Sequence, residues 1–349
     1  MIRVYHIEKN ITVVALSDII QEILESGAIL VVNPMILETD PDDFLEHYGH
    51  VLDTIALVAK GRSGYTFYQS NSAPQAPNNS VFFHSFCTIA DNMGIKVDAF
   101  LYVHGDNFLS QNTDFRVVNS EGATISSYAC PSQENLSKYI ASISSEIAQY
   151  PITSLVLDDL MLPNKRSCFC DRCRRIFASK WNVERDFSFE FLESRDLLVD
   201  WYEYRSTYIN QTLREITDTV KSQKNIDIAV VVKADKETES LAGSPEHFGQ
   251  NLGELAKITN NLIIHVNPWS ESFPAVNSPE YKQILNTISM VEEYSGSGLK
   301  PSLYFWNINS KEKLNLTIKL KDEIKAENLF IEPSLPHDFT KRRTINLGF

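Results

Sequence analysis

No segment of this sequence is long and apolar enough to cross a membrane. The longest nearly unbroken hydrophobic runs, at 28–32 and 228–232, fall far short of the roughly 20 residues a bilayer helix needs. There is neither a G-x-G-x-x-G fingerprint nor a P-loop, which removes the usual evidence for nucleotide chemistry. Basic residues are in deficit: 32 Lys and Arg face 45 Asp and Glu for a formal charge of −13, and no basic stripe offsets it. A nucleic-acid partner is therefore not expected. Residues 1–9 lack the sustained apolar centre and small-residue cleavage site of a secretory signal, so the expectation is a cytoplasmic protein with no membrane partner. Cysteine is scarce, five in 349 residues, and three of the five crowd into positions 168–173. That distribution suits metal binding in a reducing compartment better than disulfide stapling. With 43% hydrophobic residues, 13 Gly and 14 Pro, collagen, coiled coil and disorder are excluded.

What is present is an alternation of short β-rich runs with longer helical periodicity. The runs at 28–33, 54–59, 97–103, 154–158, 227–233, 262–267, 302–306 and 329–332 read as eight strands. Their near-continuous hydrophobicity implies burial on both faces, and eight is the number that closes a (β/α)8 TIM barrel; an open doubly wound α/β sheet is the alternative. Leu136, Ile140, Ile143 and Ile147 mark one outer helix, and the stretch from Leu197 to Val220 marks a longer one carrying Arg205. Arg205 is expected to pair with Asp200 or Glu203, or to reach the loop-bearing face. Residues 1–27 do not fit the repeat; they read as a hairpin (3–7 with 11–16) and a helix (18–25) covering one end of a barrel formed by 28–349. Two connections, 104–132 and 161–189, are too long for turns and follow strands. In a barrel both would rise from the C-terminal face, as would the polar loop 70–80.

Cys168-Phe169-Cys170-Asp171-Arg172-Cys173 is the sharpest chemical signal. Three thiols at this spacing can converge on one tetrahedral ion, and Cys130, in the other long loop, is the natural fourth ligand for a structural zinc; a set of free thiols is the plainer alternative. Cys87 reads as core. The next signal is the apolar strand ending in Asp158-Asp159. Strand alternation predicts that one of the two faces the barrel axis and the other the wall. Carboxylates so placed serve as general acid or base when burial raises their pKa, or they cap loop amides. Other strand ends supply Lys60, His104, Lys233, Asp235, His265, Asn267, Trp269, Trp306 and Glu332. Carboxylates, cations and indole plates around one mouth are the composition a sugar site needs. Lys233 could alternatively serve as a Schiff-base lysine, which requires a desolvated amine.

The run Leu157-Asp158-Asp159-Leu160-Met161-Leu162-Pro163, followed by Cys168-Phe169-Cys170-Asp171-Arg172-Cys173, resembles barrel glycoside hydrolases of the "hypothetical glycosyl hydrolase" type. Lys60-Gly61, Ala129-Cys130-Pro131-Ser132 and Gly249-Gln250-Asn251 agree in style, so the likeness spans about 28–270. The four cysteines are also similar to the zinc site of family 42 β-galactosidases. There an Asn-Glu pair ends the fourth strand, and the Glu is the acid/base. Asp158-Asp159 stand in that place here, so β-galactosidase activity does not carry over; one resemblance favours Asp158 and the other Asp159. Together these imply a glycoside hydrolase-like enzyme acting on a small-molecule or oligosaccharide ligand. Asp158 or Asp159 would act with Glu332 or Asp235, while Lys60, His104, Lys233, His265, Asn267, Trp269 and Trp306 bind substrate. The rival is a non-catalytic carbohydrate-binding barrel held together by zinc.

Overall fold

A computed structural model describes residues 17–37, 39–234, 243–259, 261–266, 278, 281–282, 285–286, 288–290, 293 and 301–333. The strands in chain order are β1 Ile29–Val32, β2 Thr54–Lys60, β3 Lys96–Tyr102, β4 Arg116–Val118, β5 Thr124–Ala129, β6 Ser154–Asp158, β7 Asp227–Ala234, β8 Asn261–Val266, β9 Ser302–Ile308 and β10 Leu329–Pro333. Eight of them close a parallel barrel in the order β1-β10-β9-β8-β7-β6-β3-β2, and β4 and β5 form a separate antiparallel pair. This is the expected (β/α)8 barrel, with boundaries within two residues of those read from hydrophobicity.

The strands bury both faces because the helices Phe82–Met93, Leu136–Ala148, Leu198–Lys221 and Lys311–Ile324 cover the outside with apolar stripes. Inside, the rings of Phe100, Tyr304 and Phe330 meet at centroid distances of 5.6 and 5.9 Å, so these positions face the axis. By the two-residue period of a strand, Tyr102, Trp306 and Glu332 come up on the same side at the C-terminal mouth. Their register agrees: Tyr102 lies beside Asp158, and Trp306 beside Glu332.

The two long connections carry structure of their own. The first contains the one-turn helix Asn107–Ser110 and the β4–β5 hairpin; the second contains the helix Asp171–Trp181. They build a second apolar cluster around Phe169, Phe177, Phe187 and Trp201, stitched by Phe169 N–H to Val118 O at 2.7 Å and Ser120 N–H to Arg166 O at 2.9 Å. The 70–80 loop is pinned by Glu146, whose carboxylate accepts from Tyr68, Ser70, Ser72 and the amide of Asn71. The N-terminal hairpin expected over 3–16 lies outside the described residues. Residues 17–25 are helical. Ser17 reaches Tyr48 and Glu22 pairs with Lys311, so this helix touches the ends of two outer helices, Pro41–Tyr48 and Lys311–Ile324. Among the described residues, no helix is long and apolar enough to cross a membrane.

Candidate functional site

β6 hydrogen-bonds along its length to β3 and β7 and stops at Asp158. Asp159 then takes a left-handed backbone conformation, φ +50°, stabilised by its own N–H donating to Asp158 Oδ1 at 2.6 Å. Left-handed geometry suits Asp better than most residues, because its short polar side chain bonds locally. The expectation that the two carboxylates point to opposite sides therefore fails: alternation holds only within extended backbone. Both are buried, and both converge on Lys233 Nζ, at 3.8 Å for Asp158 and 3.9 Å for Asp159. Gly105 makes room, since a Cβ there would collide with the Asp159 carboxylate.

Asp159 is further held by Arg62, whose Nε and Nη2 lie 2.8 and 2.5 Å from Oδ2, and by the Tyr128 hydroxyl, donating to Oδ1 at 3.4 Å. The Arg62 side chain stays 44% exposed, stacked 5.7 and 5.8 Å over the Tyr102 and Tyr128 rings. Lys233 also contacts His265 Nδ1. Burial, and then the Lys233 charge, push the His265 pKa well below its ordinary value, so the imidazole is neutral: Nδ1 accepts from the ammonium and Nε2 carries the proton. The ring lies 4.7 Å from Tyr304 and 6.5 Å from Trp306. A Lys233 ammonium facing two carboxylates is the opposite of the unpaired amine a Schiff-base role requires.

Across the mouth, the buried Glu332 accepts from Tyr304 Oη at 2.5 Å and from Asn33 Nδ2 at 3.3 Å. Burial raises its pKa and the Asp158 charge raises it further; Tyr304 and Asn33 pull the other way. Asp158 is raised by burial too; Lys233 opposes the shift and Asp159 adds to it.

Gln250 anchors the floor between β6 and β7. The strand register runs from Ser154↔Asp227 to Leu157↔Val230 and ends there. Beyond it the buried Gln250 carboxamide takes over, donating to Val231 O at 2.9 Å and Leu160 O at 3.3 Å while accepting from Lys233 N–H at 3.0 Å. Arg205 holds the segment before it. Its guanidinium, wholly buried, donates to the carbonyls of Asn164, Lys165, Glu246 and His247 at 2.8–3.2 Å. It thus reaches the loop face, where burial lowers its pKa to about 10.

Two of the expected ligand-binding residues are fully buried at their strand ends. Lys60 is fully buried, paired with Asp106 at 2.8 Å and donating to Tyr102 O at 3.0 Å. His104 is likewise fully buried beside the Met161 backbone, and burial lowers its pKa to about 3. Asp235, Asn267 and Trp269 lie outside the described residues. The structure adds Asn33, Arg62, Tyr102, Tyr128, Tyr304 and Gln250 to the neighbourhood. Tyr102 and Tyr304 sit inside runs that hydrophobicity assigns to the core, and only their place at the strand tops distinguishes them.

The sulfurs of Cys130, Cys168, Cys170 and Cys173 all lie within 4.8 Å of one another and are buried. Cys130 stands 3.7 Å from Cys170 and 3.5 Å from Cys173. A tetrahedron with metal–sulfur bonds of about 2.3 Å has edges of about 3.8 Å, so the four thiols fit a single metal ion. Ser132 Oγ lies against two of them, 3.2 Å from Cys130 and 3.1 Å from Cys173. Cys87 is a core residue, as expected.

No family profile matches this chain, and no curated protein matches it. Solved structures do. The glycoside hydrolase domain of PgaB (BpsB) from Bordetella bronchiseptica superposes with a TM-score of 0.67 at 15% identity, over 91% of this chain and 95% of that one. The catalytic domain of β-amylase from Paenibacillus polymyxa gives 0.59 at 10% identity, over 87% and 91%. α-L-Fucosidase isoenzyme 2 from Paenibacillus thiaminolyticus gives 0.58 at 13% identity, over 85% of this chain and 43% of its own length. At such identities the likeness is one of fold: this chain is built as those glycoside hydrolases are, on a (β/α)8 barrel.

Proposed function

We propose that the chain hydrolyses a glycosidic bond, with Asp158 and Glu332 as its carboxylate pair. The observation that carries the reading is their arrangement. β6 and β10 stand four strands apart in the ring of eight, so the two carboxyls approach from opposite sides of the mouth. Each has its pKa raised, chiefly by burial. A carboxyl whose pKa is raised in this way is better suited to donate to a leaving glycosidic oxygen, while the opposite carboxylate acts as base or nucleophile. Arg62 and Tyr128 fix Asp159 as an orienting charge for Lys233. Lys233 Nζ and His265 Nε2–H supply donors for hydroxyls, and Trp306, 39% exposed, offers a stacking plate.

The four cysteines hold a zinc ion in this reading, stapling the two long loops over the mouth and taking no part in a chemical step. Elemental analysis should find about one zinc per chain, lost in Cys130→Ser.

The test is hydrolysis of a panel of aryl glycosides and neutral oligosaccharides by wild type, Asp158→Asn and Glu332→Gln. Activity in wild type that falls by about 10²-fold or more in both variants supports the reading; wild-type activity untouched by both refutes the assignment. The other reading is a carbohydrate-binding barrel without catalysis, favoured by the burial of all three acids and the engagement of Asp159 with Arg62. It predicts no hydrolysis anywhere and sugar-dependent thermal stabilisation.

A further inference from the structure

Phe108 is a large apolar side chain left 45% exposed at the rim of the mouth, and the structure beneath it is closely bonded. It rides on the one-turn helix Asn107–Ser110, whose first residue donates its N–H to Arg62 O at 2.8 Å. Asp106 caps that turn by accepting from Leu109 N–H at 2.7 Å, and the same carboxylate pairs with Lys60 at 2.8 Å, both side chains fully buried. Gly64, at φ +90°, lets the loop after β2 press against Asp106 and Phe108, where a Cβ would not fit. Tyr65 follows it, with its ring 6.5 Å from that of Phe108. A fully buried ion pair is costly to desolvate, and it is spent here on holding an exposed aromatic residue still. The ordering cost of a ligand plate is thus met before any ligand arrives.

The position of this ledge relative to the carboxylates gives it meaning. In the barrel order, β3 and β9 stand four places apart in either direction, with β2, β1 and β10 between them on one side and β6, β7 and β8 on the other. The Phe108–Tyr65 ledge follows β2 and β3, so it stands opposite Trp306 on β9. Asp158 on β6 is the neighbour of β3, and Glu332 on β10 is the neighbour of β9. Exposed aromatic surface therefore flanks the acid pair on both sides. A site for one terminal sugar needs a plate on one side only.

We infer that the mouth takes a linear, uncharged glycan lying across it from the Phe108–Tyr65 ledge to Trp306, with sugar units bound on both sides of the carboxylates. This rests on the carbohydrate reading above but not on hydrolysis. The uncharged class follows from electrostatics: a chain of net charge −13 disfavours a polyanion, and Asp158 and Asp159 are already faced by Lys233 and Arg62, so they do not call for a cationic sugar. The half-exposed Arg62 guanidinium, between the ledge and Asp159, is placed to donate to hydroxyls of the unit lying on Phe108.

The test is binding of paired neutral oligosaccharides of two and six units (cello-, xylo-, manno-, laminari-, malto- and chito-series) to the full chain by calorimetry, with product analysis of the same mixtures. For at least one series the hexasaccharide should bind about tenfold more tightly than the disaccharide. Phe108→Ala should remove that length advantage while leaving thermal unfolding unchanged, and Phe108→Trp should retain it. Cleavage, where it occurs, should release mixed internal fragments. The inference is overturned if no series binds, if length makes no difference, if Phe108→Ala keeps the advantage, or if only terminal monosaccharide is released. Length-dependent binding that needs Phe108 but gives no hydrolysis would sink the catalytic reading and leave this one standing.

Discussion

Gln250→Leu is the most informative single perturbation of the mouth's framework. The substitution keeps the side chain's approximate bulk but removes the carboxamide that bridges β6 and β7 where their backbone ladder has ended. Three buried backbone groups then lose a partner: Leu160 O, Val231 O and Lys233 N–H. A buried polar group left unsatisfied costs about 1–3 kcal/mol, and partial relaxation around the two carbonyls brings the expected loss to about 3–5 kcal/mol. The effect should be local as well as global. The Lys233 amide has its acceptor on this side chain, so its hydrogen exchange should quicken by about tenfold for each 1.4 kcal/mol of lost protection. The ammonium of Lys233 should drift from Asp158 and Asp159, and any hydrolytic activity should fall with it. Denaturant unfolding gives the stability change, and amide exchange resolved at Val231 and Lys233 gives the local one. A variant within about 1 kcal/mol of wild type, with Lys233 exchanging at the wild-type rate, would refute the view that this carboxamide stands in for the missing ladder.

Glu332→Gln should stabilise the fold at neutral pH. The folded state raises this group's pKa, so the fold binds the proton more tightly than the unfolded chain does. Stability contributed by the acid form is complete below the ordinary value near 4.5 and is lost as pH rises through the higher folded value; thermal unfolding of the two proteins should therefore diverge above that window and converge below it. Arg205→Met removes four donated hydrogen bonds to loop carbonyls and should cost about 2–4 kcal/mol. Exchange should rise around 162–168 and 245–250, and an unchanged pattern there would show that the clamp is idle. Gly105→Ala drives a methyl into the Asp159 carboxylate; it should break the Arg62–Asp159 pair and lower activity more than stability, as kinetics and unfolding measured together would reveal.

Strand number, strand limits and barrel closure were legible because they follow from one-dimensional patterns. Residues such as Val230 to Val232 or Leu155 to Leu157 are buried on both faces, and a run of that kind announces a covered parallel strand whatever surrounds it. The thiol cluster was legible for a related reason: C-x-C-x2-C spacing brings three sulfurs together locally, and only Cys130 had to be supplied from a distant loop. Asp158, Asp159, Lys233, His265 and Glu332 could be named as strand-end residues, since in a barrel every strand delivers its last side chains to the same mouth.

Tertiary contact decided the rest. A left-handed turn at Asp159 aims both acids at Lys233. A buried pairing with Asp106 engages Lys60, while Arg62, two residues on, becomes an exposed cation at the rim. Gln250 and Arg205 gain their roles from carbonyls far away in the chain. Hydrophobic pattern determines which residues leave water, because that free energy depends on composition and period. Which polar atoms then meet depends on angles and distances of a fraction of an ångström between segments remote in sequence, and these exist only once the barrel has closed.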